Sequence, residues 1–124
     1  MFRKYGDRAA FVTVYIKEAH ATDEWQMKSN ETENVCYAQP RTMEQRLMIA
    51  NDFAKRFNYT IPMLVDAMDN AANQVYAGWP ERIYVIDEQN SIVYKGEKGP
   101  FGFHPEEVEA WLEKRFATAD HAAR

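Results

Sequence analysis

Residues 11–17, Phe-Val-Thr-Val-Tyr-Ile-Lys, constrain the fold more than any other stretch of the chain. β-Branched and aromatic residues occupy odd and even positions alike, so an extended strand here is apolar on both faces. A strand wetted on one side alternates apolar and polar residues; one covered on both sides does not. The stretch therefore predicts a parallel or central strand under helices, as in α/β proteins. At six apolar-type residues, 11–16, it is also far too short to span a bilayer.

The rest of the chain supplies the partners such a strand needs. Residues 21–40 are polar and without a sustained period, and read as a long loop of the kind that is functional or mobile. Residues 42–57 carry a helical stripe of Met43, Leu47, Ala50, Ala54 and Phe57 behind a Thr42 N-cap. Pro62 opens a strand at 63–67, and a short helix from Asn70 to Ala77 ends at Gly78. Two strands, Arg82–Asp87 and Ser91–Lys95, form an antiparallel hairpin around Glu88-Gln89-Asn90. The stretch GEKGPFG, 96–102, is a loop, because its glycines follow a hairpin strand and do not open a dinucleotide-binding turn.

Pro105 starts a last helix with Glu106 and Glu107 in its first turn and Val108, Trp111, Leu112 and Phe116 on its buried stripe. Residues 117–124 read as a frayed tail. Phe2, Tyr5 and then Gly6 read as a last helical turn and its glycine stop. The expected order is an α/β sandwich with a mixed sheet, one domain over residues 1–124.

Composition closes off several functions. The chain has 124 residues with 15 Lys plus Arg against 19 Asp plus Glu, a net charge of −4 that disfavours nucleic-acid and anionic-membrane partners. A single cysteine, Cys36, makes no internal disulfide. No export signal stands in the first residues, so a cytoplasmic location is expected. His20, His104 and His121 are scattered, without metal-ligand spacing.

Sites in open α/β sheets form beyond the carboxyl ends of parallel strands. The first strand runs into Glu18-Ala19-His20, whose carboxylate and imidazole share one face if the chain stays extended. Such a pair orients and charges a general acid or base; the plainer reading is two surface residues where a strand ends. Trp79-Pro80 precedes the hairpin, where the proline marks a ladder start or shapes a site. Arg82 is placed to clamp an anion or is an ordinary exposed arginine. Cys36 is either a redox thiol or a small apolar residue.

Several blocks together resemble the iodothyronine deiodinase family: YIKEAHATDEW at 15–25, QPR at 39–41, VDAMDN at 65–70, PERIYVID at 80–87 and YKGEKGPFGFHPEEV at 94–108. The resemblance covers residues 5–116 and is closest to bacterial-type members. It implies a thioredoxin-like α/β fold, a mixed sheet with flanking helices. It also implies reductive dehalogenation of an iodinated, thyroxine-like phenol by a selenocysteine or cysteine, with a thiol reductant as co-substrate and no bound cofactor. Glu18 and His20 match the family's EAH pair, His20 serving substrate binding or proton transfer. Arg82 matches the arginine that would hold the amino-acid end of the substrate. Pro80 falls where thioredoxin-like proteins place a cis-proline facing the nucleophile.

Two departures shape the expectation. Family members with Gln-His-Arg in the loop have a histidine where Pro40 stands, which opens the substrate to other halogenated phenols or a peroxide. The nucleophile motif ending Pro-Pro-Phe is absent, and only Met1 to Ala10 precede the first strand. The fold is then expected to be incomplete at its N-terminus, with Met1 an internal methionine of a selenoprotein gene truncated at a UGA codon. Such a chain would be inactive alone and would self-associate through exposed sheet edges. Two rival functions are a thiol peroxidase-like protein with Cys36 as sole or resolving thiol, and a redox-dead binding module.

Overall fold

The computed structural model describes residues 1–18 and 38–122. Its elements are α1 (Phe2–Tyr5), β1 (Thr13–Tyr15), α2 (Met43–Arg56), β2 (Met63–Val65), α3 (Ala71–Tyr76), β3 (Tyr84–Ile86), β4 (Ile92–Lys95) and α4 (Pro105–Ala122). The expected long loop at 21–40 falls outside the described residues except for its last three. The chain divides into two compact units, one of Phe11–Pro80 and one of Met1–Ala10 with Glu81–Arg124.

In the first unit β1 and β2 pair in parallel, Thr13 opposite Met63 and Tyr15 opposite Val65. Main-chain bonds from Thr13 to the Pro62 carbonyl (2.9 Å) and from Asp66 to the Tyr15 carbonyl (2.8 Å) extend the ladder at both ends. Thr13, Tyr15, Met63 and Val65 are half-buried, on the face opposite Val12, Val14 and Leu64. Those three are 56%, 42% and 61% exposed, so the expectation of a strand buried on both faces fails among the described residues. The physical reason is coverage: α2 lies against β2 and screens one side of this two-stranded ladder.

Helix α2 begins as expected, with the Thr42 hydroxyl accepting from the Gln45 N–H (3.2 Å) and the Gln45 side chain accepting from the Arg41 N–H (2.8 Å). Its buried stripe is a correction. Arg46, Ile49 and Ala50 are inside, whereas Leu47 and Phe57 are exposed. The helix is turned by about one residue because a charged side chain, Arg46, finds acceptors inward. Phe53 packs on Phe57 and Tyr59 with ring centroids 5.0 and 5.5 Å apart, closing the helix end. The strand expected at 63–67 stops at Val65, because Asp66 turns its carboxylate toward α3. The left-handed residue ending α3 is Ala77 (φ 47°), and no glycine has positive φ. The reversal comes before Gly78 because the Gly78 N–H already closes onto the Asn73 carbonyl at 3.1 Å.

In the second unit β3 and β4 form the expected antiparallel hairpin, with an irregularity between Val85 and Ile86. Asp87 Oδ1 accepts from the N–H of Gln89 and of Ser91, both at 2.9 Å, while Asn90 takes the left-handed turn position (φ 62°). The glycine-rich loop folds back along the chain before β3, through Gly96 N–H to the Ile83 carbonyl (2.9 Å) and Gly99 N–H to that of Glu81 (3.0 Å). A Cβ on Gly102 would lie 2.6 Å from the Lys98 carbonyl oxygen, which excludes a side chain there.

Val108 and Leu112 of α4 are buried as expected. Residues 117–122 continue the helix and do not fray, because Arg8 ties down its end. The Arg8 guanidinium bonds Asp120 (3.0 Å) and lies 4.2 Å from the Phe116 ring, which Tyr5 also stacks on. Gly6 has φ −64°, so it does not stop α1 in the left-handed way; Arg8 and Ala9 still bond the Tyr5 carbonyl.

Small sheets with flanking helices make this a mixed α/β protein compatible with a thioredoxin-like fold. The strands form two separate pairs, one parallel and one antiparallel, among the described residues. No helix among them is long and apolar enough to cross a membrane.

Candidate functional site

The carboxyl end of β1 delivers Glu18 in a fixed backbone setting. The Glu18 N–H donates to Gln39 Oε1 (2.9 Å), and Gln39 Nε2 donates to the Glu18 carbonyl (3.0 Å). One amide side chain thus serves as a strand neighbour and satisfies both main-chain groups where the ladder ends. The Tyr15 hydroxyl, three residues back, donates to the Glu18 carboxylate. A half-buried carboxylate held by a phenol has a fixed direction and can hold or pass a proton. His20 and Cys36, the other two residues expected to carry chemistry, lie outside the described residues.

The same end of β1 lies alongside the Trp79–Pro80 turn. Lys17 Nζ is 5.5 Å from the centroid of the Trp79 ring. A Cβ on Gly78 would meet Ile16 Cδ1 at ordinary contact, 3.7 Å. The Trp79–Pro80 peptide bond is cis. The Trp79 indole N–H is buried without a partner among the described residues. Glu18 and Pro80 therefore both belong to the Phe11–Pro80 unit. Arg82 belongs to the other unit, just ahead of β3, where it is half-buried with Nε shielded and unpartnered among the described residues.

A buried polar group behind the turn was not legible in the sequence. Asp66, 5% exposed, accepts from the N–H of Ala67 (2.9 Å) and Ala72 (3.0 Å) through Oδ1 and of Asn73 (2.9 Å) through Oδ2. It caps α3 in place of Asn70, which sits at the N-cap position with no side-chain bond to the helix. Arg46, 2% exposed, donates to the carbonyls of Asp66 (3.2 Å) and Ala67 (2.8 Å) and to Asn70 Oδ1 (2.9 Å). The side-chain oxygen of Asn73 in turn accepts from the Trp79 N–H at 2.9 Å. The signal available was the cluster of Asp and Asn in VDAMDN, whose short side chains bond nearby backbone. Among the described residues no group of three His, Cys, Asp or Glu side chains is placed to hold a metal ion.

The family model for iodothyronine deiodinase matches residues 1–116. The chain is 36% identical over 115 residues to type I iodothyronine deiodinase of Xenopus laevis, covering 93% of this chain and 43% of that protein. It is 33% identical over 119 residues to the type II enzymes of Rattus norvegicus and Homo sapiens, covering 94% of this chain and 44% and 43% of theirs. These relatives are vertebrate proteins, and the chain spans less than half the length of each. With a match over nearly its whole length, the chain belongs to the iodothyronine deiodinase family.

Proposed function

We propose that these residues form a thioredoxin-like domain of a deiodinase-type oxidoreductase, the part that binds an iodinated phenol and handles its proton. The observation that carries the reading is Glu18, pinned by Gln39 and Tyr15 at the carboxyl end of β1, beside the Trp79–Pro80 turn. In the reaction a chalcogenolate attacks iodine, the carbon–iodine bond breaks with its electron pair on carbon, and that carbon takes a proton. The product is the deiodinated phenol and a chalcogen–iodine adduct. Two thiols of a reductant then return the chalcogenolate, releasing iodide and a disulfide. Glu18 and His20 hold and deliver the proton, and Arg82 binds the carboxylate of an amino-acid side chain on the substrate.

The chain has one thiol, Cys36, and we assign the attacking selenocysteine or cysteine to a position outside these 124 residues. A cytoplasmic setting suits a thiol-regenerated enzyme. The exposed Val12, Val14 and Leu64 favour self-association of the chain when it is alone.

Titration of the 124-residue chain with 3,5-diiodotyrosine and with iodinated phenols lacking its amino-acid end tests the reading. Binding is expected, stronger with the carboxylate present, and Arg82→Met should remove that difference. No binding of any iodinated phenol overturns the reading. Iodide release with dithiothreitol that Cys36→Ser abolishes overturns the placement of the nucleophile.

A further inference from the structure

The Trp79–Pro80 turn and the Tyr15–Glu18 pair are joined by a run of three hydrogen bonds inside one unit. The Asp66 N–H donates to the Tyr15 carbonyl at 2.8 Å, extending the β1–β2 ladder. Asp66 Oδ2 accepts the Asn73 N–H at 2.9 Å. Asn73 Oδ1 accepts the Trp79 N–H at 2.9 Å. Asn73 also takes the Gly78 N–H on its own carbonyl at 3.1 Å, so it engages two successive amides of the turn. The bond to Trp79 needs a side-chain oxygen, whereas the bond to Gly78 uses main chain that any residue supplies.

From this geometry we infer that Asn73 and Asp66 are positioning residues, which hold the Trp79–Pro80 turn at a fixed offset from Glu18. The inference rests on the reading that Glu18 and Pro80 flank the substrate site. A six-residue helix has too few turns to hold its own shape, so α3 cannot place the turn without these ties. Asp66 supplies the anchor because its N–H bonds the end of β1 while its carboxylate is part of the helix cap. Arg46 holds the same loop from behind by its bonds to the Asp66 and Ala67 carbonyls. None of these side chains needs to touch substrate.

The test uses the 124-residue chain, isotope-labelled, with three substitutions. Asn73→Ala removes the acceptor, Asn73→Asp keeps it, and Gln74→Gly loosens α3 without removing a bond of the run. The first readout is hydrogen exchange of the Trp79 amide. Asn73→Ala should lower its protection by about fivefold to tenfold, the worth of one hydrogen bond, while the other two stay near wild type. The second readout is affinity for 3,5-diiodotyrosine, expected to fall about tenfold in Asn73→Ala, as a site loosened by the loss of one hydrogen bond would, and to be kept in Asn73→Asp and Gln74→Gly. Unchanged Trp79 protection in Asn73→Ala overturns the inference, as does unchanged affinity. Equal loss of affinity in Gln74→Gly also overturns it, since the role is then support of the helix alone. Failure of the wild-type chain to bind the probe refutes the functional reading, and the exchange readout still decides whether the ties hold the turn.

Discussion

Replacing Asp66 should destabilise the Phe11–Pro80 unit in two graded steps. Its carboxylate is 5% exposed and accepts three backbone N–H groups, two of them in the first turns of α3. Hydrogen bonds to a charged acceptor contribute about 1.5–3 kcal/mol each, and a negative charge at a helix N-terminus adds about 0.3–1 kcal/mol. Asp66→Ala leaves all three donors without their acceptor, and water reaches some of them because Ala67 is exposed and Ala72 and Asn73 are only half-buried. The net loss is then about 4 kcal/mol, below the simple sum for that reason. Asp66→Asn keeps one oxygen, which serves Ala67 and Ala72 best, and turns an amide N–H toward that of Asn73. This variant loses about 2 kcal/mol. With a urea slope of about 2 kcal/mol per molar, the unfolding midpoint should fall by about 1 M for Asn and about 2 M for Ala. Far-UV circular dichroism in urea measures the midpoint, and hydrogen exchange at Ala72 and Asn73 locates the damage. A midpoint for Asp66→Ala within a few tenths molar of wild type, with both amides still protected, refutes the capping argument.

Arg46→Met should cost about 3 kcal/mol, because two carbonyls and the Asn70 side chain lose their donor inside the fold; a urea midpoint equal to wild type would contradict this. Ala77→Gly should raise stability by about 1 kcal/mol by relieving a left-handed residue with a Cβ, whereas Gly78→Ala should be nearly neutral. Thermal melts of the two variants check the order, and a stabilising Gly78→Ala beside a neutral Ala77→Gly reverses it. Burial, with the bond to Glu107, raises the Tyr94 hydroxyl above its ordinary pKa of 10.0. The folded state therefore keeps that proton longer, so its contribution is whole below pH 10 and is lost as pH rises through the higher folded value. Melting temperature should decline more steeply above pH 10 in wild type than in Tyr94→Phe; parallel profiles would refute the coupling.

The elements were legible because each is announced by local chemistry. Thr42 caps α2, Asn90 turns the hairpin, and Pro105 opens α4, all as their side chains dictate. What local chemistry does not carry is which face meets which neighbour. Residues 11–17 read as doubly buried because apolar residues line both faces, yet burial depends on what lies over each face. The stripe of α2 was misplaced by about one position for a related reason. A pattern reading puts arginine in water, and Arg46 is inside because three oxygens from the loop after β2 converge on it. The tail of α4 read as frayed because its stabiliser, Arg8, stands more than a hundred residues earlier.

The candidate site was legible in a different way. Glu18 and Pro80 were singled out through short blocks of family resemblance, and other members of those blocks hold main chain in place. Gln39 of the QPR block pins the backbone of Glu18, while in the VDAMDN block Asp66 caps the start of α3 and Asn70 receives Arg46. The ties of Gln39 and Asp66 run between side chain and backbone, so they fix where the main chain stands without dictating what the candidate residues recognise. Pro40 illustrates the division. By the resemblance it stands where some family members carry Gln-His-Arg; it is buried, and the adjacent Gln39 makes both of its bonds to Glu18. A change there alters one side chain and keeps the bonds that hold the Glu18 main chain. Within this geometry, the side chain at position 40 can change while the Glu18 main chain stays held by Gln39 at the end of β1.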